Sequence, residues 1–402
     1  MNNILETRLK VYNKSIKRNK KINFYESIKN LDEHTFGIPK RVLIPKKDGG
    51  EREVFVYNSS DSLLLKMLSE KICENYNKDL YKHLYSYKEG IGCVDAVKYV
   101  MKSAKGMYGY KLDITNYFMS VPMSIIEKNL KLIFQDDKES SNILKFYKDN
   151  RYYDVDNSLK HRFLSLKPGN PLSAFLSNLV LNDLDKLMNS ISDVYVRYSD
   201  DILIFCKDVD NLNNRKSILI NELNKIGLEI KESKTEFIKP NQPINYLGLK
   251  MDWKDIDLSD NRFLKLKKDI KHQSKLLRNE LKYQKINKEE AVLNFINWYN
   301  RKLYGKPFKL KEPYSWATNL YKDITTIKTL KEIDFYFINT LRQLYTGKNN
   351  SSNIKKLPLE IIKAKGWVSC VYMYKMFRKN QNLFNDYTEI LISKGNVSIY
   401  DK

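Results

Sequence analysis

Apolar residues change their spacing several times along the chain, and each change predicts an element. In RVLIPKKDGGEREVFVY, 41–57, two β-branched runs flank the polar Asp48-Gly49-Gly50, which predicts two strands and a tight turn. Residues 60–80 open with Ser/Asp capping candidates and carry apolar positions at helical spacing. MYGYKLD, 107–113, reads as a short strand ending in Asp113, with a helix following over 121–134. A Pro/Gly turn at 168 leads into an apolar-faced helix reaching 189. In VYVRYSDDILIFC, 194–206, two apolar runs enclose Ser199, Asp200 and Asp201, the pattern of a hairpin with carboxylates at its tip. A helix over 210–226 precedes strand-like segments at 228–238 and 244–251. From about 260 the spacing is mostly helical, over 262–284, 288–303, 314–345 and 358–379. Pro307, Pro313, Gly347 and Pro358 punctuate these helices, and GKNNSSN, 347–353, is the clearest loop. Residues 1–40 read as helical and basic, and no short-period repeat is present.

Composition adds a partner class. Of 402 residues 42% are hydrophobic and 30% charged, which is globular and long enough for two or three domains or subdomains. Lysine and arginine number 71 against 48 acidic residues, a net charge of +23. So large an excess points to a polyanion, either nucleic acid or an anionic membrane surface. No run approaches 18 apolar residues, and the opening MNNILETRLKVYNK lacks a secretory apolar stretch or a lipidation signal. The expectation is no membrane partner and a reducing, cytoplasmic setting. Cys73, Cys93, Cys206 and Cys370 agree with that, being too scattered for a zinc knuckle or a disulfide framework. All four histidines, His34, His83, His161 and His272, precede the last 130 residues, which therefore hold no histidine-based nuclease site.

The candidate chemistry lies in carboxylates. Tyr198-Ser199-Asp200-Asp201 sits between two apolar strands, where charge is costly unless a cation or donor compensates it. Asp113 ends another apolar strand 87 positions earlier. If the two strands share a sheet, three carboxylates converge, and Mg²⁺ or Mn²⁺ would relieve their repulsion. Two ions about 4 Å apart would suit in-line phosphoryl transfer. The bland alternative for the acidic pair is a solvated turn.

These residues resemble the YxDD box of reverse transcriptases, and further motifs occur in that family's order over roughly 41–250. IPKKDGGEREV (44–54) and YSYKEGIGCVDAVKYV (85–100) are similar to its fingers motifs, and KLDITNYFMSV (111–121) to the palm strand with the first catalytic aspartate. PGNPLSAFLSNLVL (168–181) resembles the template and nucleotide-binding turn and helix. GLEIKESKTEF (227–237) resembles the motif with its lysine, and INYLGLKM (244–251) the primer-grip hairpin. The resemblance implies an α+β right-hand polymerase: fingers and palm, with an antiparallel sheet backed by helices, then an all-α thumb and C-terminal helical region. The implied divisions are an N-terminal segment and fingers over 1–106, a palm over 107–240 with a fingers insertion about 125–165, the primer-grip hairpin over 241–260, and the helical region over 261–402. The implied enzyme is an RNA-directed DNA polymerase, a nucleotidyltransferase, using two Mg²⁺ (or Mn²⁺) ions, dNTPs and nucleic acid.

Roles carry over by position. Asp113 and Asp200 would be the principal metal ligands, Asp201 would complete the cluster, and the Ile114 carbonyl would be a further ligand. Phe118 holds the steric-gate position that favours deoxynucleotides, although its neighbour Tyr117 could instead face the site. Lys46 and Arg52 match residues gripping the triphosphate, with Lys46 and Lys47 open as to which faces inward. Gly169 and Tyr198 would border the incoming dNTP, and Lys234 matches a lysine proposed to protonate pyrophosphate. Tyr246, Leu247 and Gly248 would position the primer end. Aromatic and basic residues mix in 295–305 and 366–380, which suits base stacking or, more commonly, core packing.

The pattern departs from the family at one loop. Pro168 stands at the glutamine position, and Ser165 at the first glycine position. Together with the lack of nuclease, integrase or ribonuclease H patterns, this resembles phage-defence reverse transcriptases of abortive-infection, defence-associated and retron types. Three readings follow. The first is RNA-templated DNA synthesis with an associated non-coding RNA in antiphage defence. The second is template-independent synthesis, sometimes primed from a tyrosine hydroxyl. The third is an inactive nucleic-acid-binding scaffold. Abortive-infection relatives form homo-oligomers through helical C-terminal regions, so a homo-oligomer is compatible with this layout.

Overall fold

The computed structural model of the chain describes residues 34–45, 50–76, 78–88, 90–134, 138–162, 165–305, 316–348, 350 and 352–380. Contacts divide the chain into two units, Met1–Asn241 and Gln242–Lys402. Both mix helices with antiparallel sheet, the α+β class expected.

In the first unit the hairpin predicted over 41–57 forms as β1 (Lys40–Pro45) and β2 (Glu51–Val56), paired antiparallel. Its turn, 46–49, lies outside the described residues, as does the basic helix expected over 1–33; residues 34–39 carry no helix. The elements that follow are α1 (Ser59–Tyr76), α2 (Cys93–Ser103), β3 (Tyr108–Asp113), α3 (Tyr117–Ser120), α4 (Met123–Phe134) and α5 (Lys138–Lys148). Next come β4 (Arg151–Tyr153), β5 (Leu159–His161), α6 (Pro171–Val180), α7 (Asn182–Ile191), β6 (Val194–Tyr198), β7 (Asp201–Cys206), α8 (Val209–Lys225) and β8 (Glu236–Ile238). One sheet has the order β2-β1-β4-β5 and the other β6-β7-β3-β8, the latter antiparallel throughout. β7 is buried from Ile202 to Cys206, so both its faces are covered, and α8 packs on β3 and β7. That double cover explains why ILIFC reads as one continuous apolar run.

The single helix expected over 168–189 is two. The chain turns at Leu181, and the side-chain amide of the next residue, Asn182, is held by the segment that follows α1. Asn182 Oδ1 accepts from the Tyr81 N–H at 2.8 Å, and its Nδ2 donates to the Asp79 carbonyl at 3.0 Å.

The second unit begins with a three-stranded antiparallel sheet: β9 (Ile244–Tyr246), β10 (Leu249–Met251) and β11 (Ile256–Leu258). Helices α9 (Asp260–Lys282), α10 (Lys288–Tyr304), α11 (Trp316–Tyr321), α12 (Lys328–Thr346), α13 (Asn353–Lys356), α14 (Leu359–Ala364) and α15 (Cys370–Lys379) follow. The helix expected over 314–345 is interrupted because Thr325 pairs with β11: its N–H donates to Ile256 O at 2.8 Å, and its Oγ1 accepts from Ile256 N at 2.9 Å. The helix expected over 358–379 is interrupted where Asn300 takes the Gly366 carbonyl and the Val368 N–H.

One buried pair ties the first unit together. Arg197, in the middle of β6, and Asp185, on α7, are both fully inaccessible. Arg197 Nε and Nη2 donate to the two Asp185 oxygens at 2.7 and 2.6 Å. Nη1 donates to the Ser199 carbonyl at 3.1 Å, and Nη2 also reaches the Asn178 carbonyl at 2.9 Å. The Tyr195 hydroxyl donates to Asp185 at 2.9 Å. Breaking such a pair leaves a charge buried and unpaired. Arg197→Met should therefore cost about 3–5 kcal/mol in urea unfolding, whereas Arg197→Met with Asp185→Leu should recover most of that; equal losses in the single and double variants would refute the coupling.

Candidate active site

The ladder between β3 and β7 places Asp113 directly opposite Asp201. Such opposed residues lie about 4.5–5.5 Å apart at Cα. One step further, the Ile114 N–H donates to the Asp200 carbonyl at 3.1 Å. The β6–β7 turn consists of Ser199 and Asp200 between the paired Tyr198 and Asp201, with Ser199 at φ 58°. A slip of one residue would send Asp113 to the opposite face, so the apolar burial that fixes the register also gathers the acids.

A third segment joins them. Ile230 bridges to Ile114, and the Lys231 N–H donates to the Asp113 carbonyl at 2.8 Å. That contact and the turn of 3₁₀ helix at Glu232–Lys234 bring Lys234 to Asp113, where Nζ meets Oδ1 at 2.9 Å and Oδ2 at 2.8 Å.

The electrostatics follow from crowding. Burial first, then the charge on Asp113, raises the Asp200 pKa, while Lys234 and Arg52 pull it back. Burial, then Asp200 and Asp113, pushes Asp201 up to about 6, against Lys111 and Lys234. Partial burial lowers the Lys234 pKa, but its bond to Asp113 and the three carboxylate charges outweigh that and hold it above the usual lysine value. Among the described residues no three metal-ligating side chains stand as a formed set. Of the ligand group expected of Asp113, Ile114, Asp200 and Asp201, Asp113 is paired with the Lys234 ammonium. The donor chemistry nevertheless fits a hard divalent cation: crowded oxygen ligands with their charge incompletely balanced.

The other candidates are placed as follows. The charge of Arg52, on β2, favours the ionised form of Asp200. Lys46 and Lys47 lie outside the described residues. Tyr117 is core, its hydroxyl donating to the Ser177 carbonyl. Phe118 is half-buried, edge-on to Tyr117 at 5.9 Å and to Tyr87 at 6.5 Å. The Tyr198 hydroxyl is raised by burial and by its bond to Cys93. Gly169, at φ 102°, touches β2 itself: a Cβ there would come within 2.6 Å of the Phe55 carbonyl. Its glycine is required by that backbone approach. Within the second unit, Gly248 packs on Arg262, whose Cδ lies 2.9 Å from where a Cβ would be. Phe295, Tyr299, Tyr304, Trp367, Tyr374 and Phe377 are core residues, so these aromatics of 295–305 and 366–380 do not offer stacking faces.

Sequence reasoning missed the supports. Ser86 Oγ accepts from the Ser199 N–H at 2.9 Å and donates to Asn178 Oδ1 at 2.8 Å, all three residues being buried. Lys167 is buried beside Pro168, donating to the carbonyls of Phe146 and Asp149 and lying over the Phe146 ring at 4.4 Å. Burial lowers its pKa to about 8. The only sequence signals were an arginine inside an apolar strand and a lysine in the departing loop.

A family model described as reverse transcriptase (RNA-dependent DNA polymerase) matches residues 44–251. The chain is 22% identical over 157 residues to the putative COX1/OXI3 intron 1 protein of Saccharomyces cerevisiae, covering 39% of this chain and 19% of that protein. It is 23% identical over 171 residues to an uncharacterized 91 kDa protein in the cob intron of Schizosaccharomyces pombe, covering 42% and 21%. The chain thus spans about a fifth of these relatives. Among solved structures, telomerase from Candida albicans in complex with a TWJ fragment of telomeric RNA is similar at TM-score 0.43 and 14% identity, covering 98% of this chain and 70% of that one. Apo telomerase from Candida tropicalis is similar at 0.47 and 13%, covering 88% and 68%.

Because Asp201 has a raised pKa, the protein alone loses stability as pH climbs through about 6, and a cation that needs the carboxylate gains affinity over the same range. Mn²⁺ should therefore raise Tm more at pH 7.5 than at pH 5.5. Asp201→Asn should shrink that difference, leaving only the part due to Asp200, and stabilise the metal-free protein at pH 7.5 by about 1–3 kcal/mol; a Mn²⁺ response of the wild type independent of pH would contradict the crowding.

Proposed function

The chain belongs to the reverse transcriptase family, and on that premise we propose that it is a DNA polymerase adding dNTPs to a 3′-hydroxyl. The observation that carries this reading is the strand register that sets Asp113 against Asp200 and Asp201. Asp113, Asp200, Asp201 and the Ile114 carbonyl would hold two Mg²⁺ or Mn²⁺ ions, which when bound supply activation of the hydroxyl and charge stabilisation for departing pyrophosphate. In the reaction the primer oxygen bonds to the α-phosphorus as the bond from that phosphorus to the bridging oxygen breaks. Arg52 offers its planar fork to the triphosphate, in concert with Lys46. Lys234, protonated at neutral pH, is the acid for the pyrophosphate oxygen. Phe118 faces the sugar and excludes a 2′-hydroxyl. Gly169 and Tyr198 border the nucleotide.

A nucleic-acid partner is supported by α9 of the second unit. Lys265, Lys268, Lys271, Lys275, Arg278 and Lys282 recur at intervals of three and four along its exposed side. None is in an ion pair among the described residues. Such a row neutralises phosphates.

A second reading, untemplated extension including priming from a tyrosine hydroxyl, is favoured by one observation. The loop that carries glutamine in the family carries Pro168 here and is pinned by Lys167. The narrower assignment, antiphage defence with an associated non-coding RNA, and the homo-oligomer rest on resemblance to the phage-defence types.

Asp200→Asn with Asp201→Asn should abolish DNA synthesis without lowering Tm, and should abolish any phage protection. Synthesis surviving in that variant would overturn the catalytic reading. Sequenced product complementary to copurifying RNA supports templated copying, whereas product insensitive to ribonuclease supports the second reading. Lys271→Gln with Lys275→Gln should reduce the slope of log affinity against log salt by about 1–2; an unchanged slope in filter binding would remove α9 from the interface.

A further inference from the structure

One exposed aromatic beside the acids has no role in the reaction described above. Residues 83–86 run alongside β6 on its open edge: Leu84 bridges to Arg197 in parallel, and the Tyr85 N–H donates to the Arg197 carbonyl at 3.1 Å. Ser86 then locks onto the hairpin tip through the Ser199 N–H and onto α6 through Asn178, whose Nδ2 donates to the Ser86 carbonyl at 2.7 Å. The next residue, Tyr87, is therefore carried to the tip by a buried, fully bonded support. It adopts φ 54°, a left-handed conformation that a tyrosine takes only at a cost. The residue is 46% exposed, so core packing does not repay that cost.

What the ring does touch is Phe118, edge-on at 86°. Tyr117 meets the same phenylalanine edge-on at 77°. Phe118 is thus braced between a buried edge, fixed by the hydroxyl bond of Tyr117 to Ser177, and an exposed edge supplied by Tyr87. Phe118 also packs against the core, so the Tyr87 edge restricts the ring on its solvent side.

We propose that Tyr87 is a positioning residue for sugar selection, holding the Phe118 ring in the pose that excludes a ribonucleotide. The inference rests on the polymerase reading and on Phe118 as the gate. It predicts that the ring of Tyr87 matters and its hydroxyl does not.

The test is single-nucleotide primer extension with Mn²⁺ or Mg²⁺, measuring kcat and KM separately for a dNTP and the matching rNTP. Tyr87→Asn removes the ring while suiting the left-handed backbone, so Tm should hold. Its discrimination against the rNTP should fall about tenfold, the upper range for loss of an aromatic pair, mainly through a lower rNTP KM. Tyr87→Phe should retain wild-type discrimination, and Tyr87→Leu, a second ring-free variant, should behave as Tyr87→Asn. Full discrimination in both ring-free variants, while Phe118→Ala loses it, overturns the inference and leaves the polymerase reading intact. Full discrimination in Phe118→Ala removes the gate and the inference together. A wild-type chain that incorporates no dNTP on any primed substrate defeats the polymerase reading itself.

Discussion

A guanidinium with no access to water lies two residues before the tip of the acidic hairpin, and the geometry of the site depends on it. Burying Arg197 is tolerable because four of its five N–H groups are answered: by the two carboxylate oxygens of Asp185 and by the carbonyls of Ser199 and Asn178. Those partners lie on the hairpin turn, on α6 and on α7. The charge therefore fixes three elements with one rigid group, and two of its bonds end at backbone rather than at movable side chains. Ser199 is held from the other side by Ser86. The turn that presents Asp200 and Asp201 cannot relax away from Asp113 without giving up the Arg197 bond to the Ser199 carbonyl and the Ser86 bond to the Ser199 N–H.

That rigidity has a purpose in physical terms. Three carboxylates brought together repel one another, and a compliant loop would separate them. Five residues in left-handed conformations other than glycine, Tyr87, Asn116, Ser165, Lys167 and Ser199, occur in the segments that carry or support the site. Strain of this kind persists where the surroundings overdetermine it. Ser165 is held by its bond to the Val121 carbonyl, and Lys167 by two carbonyls at the end of α5. Ser199 is held by Arg197 and Ser86. Tyr87 combines the conformation with an exposure of 46%.

The sheet that gathers the acids was legible in the sequence because two apolar runs and the polar interruption of Ser199, Asp200 and Asp201 between them are local signals. Asp113, Asp200 and Asp201 stand out for the same reason: carboxylates at the ends of apolar runs. The supports were not legible. Ser86 and Asn178 are unremarkable residues whose importance comes from meeting across 92 positions. Helix continuity was overestimated wherever a distant polar group captured the backbone, as Thr325 does with Ile256 and Asn300 with Gly366. The aromatic helices of the second unit show the converse. Their tyrosines left base stacking and core packing both open in the sequence, and Tyr299, Tyr304 and Tyr321 are buried. The Tyr299 and Tyr304 hydroxyls meet the Cys370 thiol, and that of Tyr321 meets the Cys370 carbonyl.

Lys234 connects this rigidity to the proposed chemistry. Three carboxylates and one ammonium leave a net negative charge, so the lysine alone does not balance the cluster. It has settled on Asp113, the most buried of the three by exposure, and remains half exposed itself. An ammonium in that position has one partner fixed by the fold and an open side. Any cation that took over Asp113 would weaken the lysine's hold there by supplying the same compensation. A departing pyrophosphate would then offer the ammonium a stronger negative partner than the one it had lost. The residue that steadies the acids in the resting protein is thus placed to become the proton donor in the proposed reaction, and the exchange needs no movement of the strands that hold the aspartates.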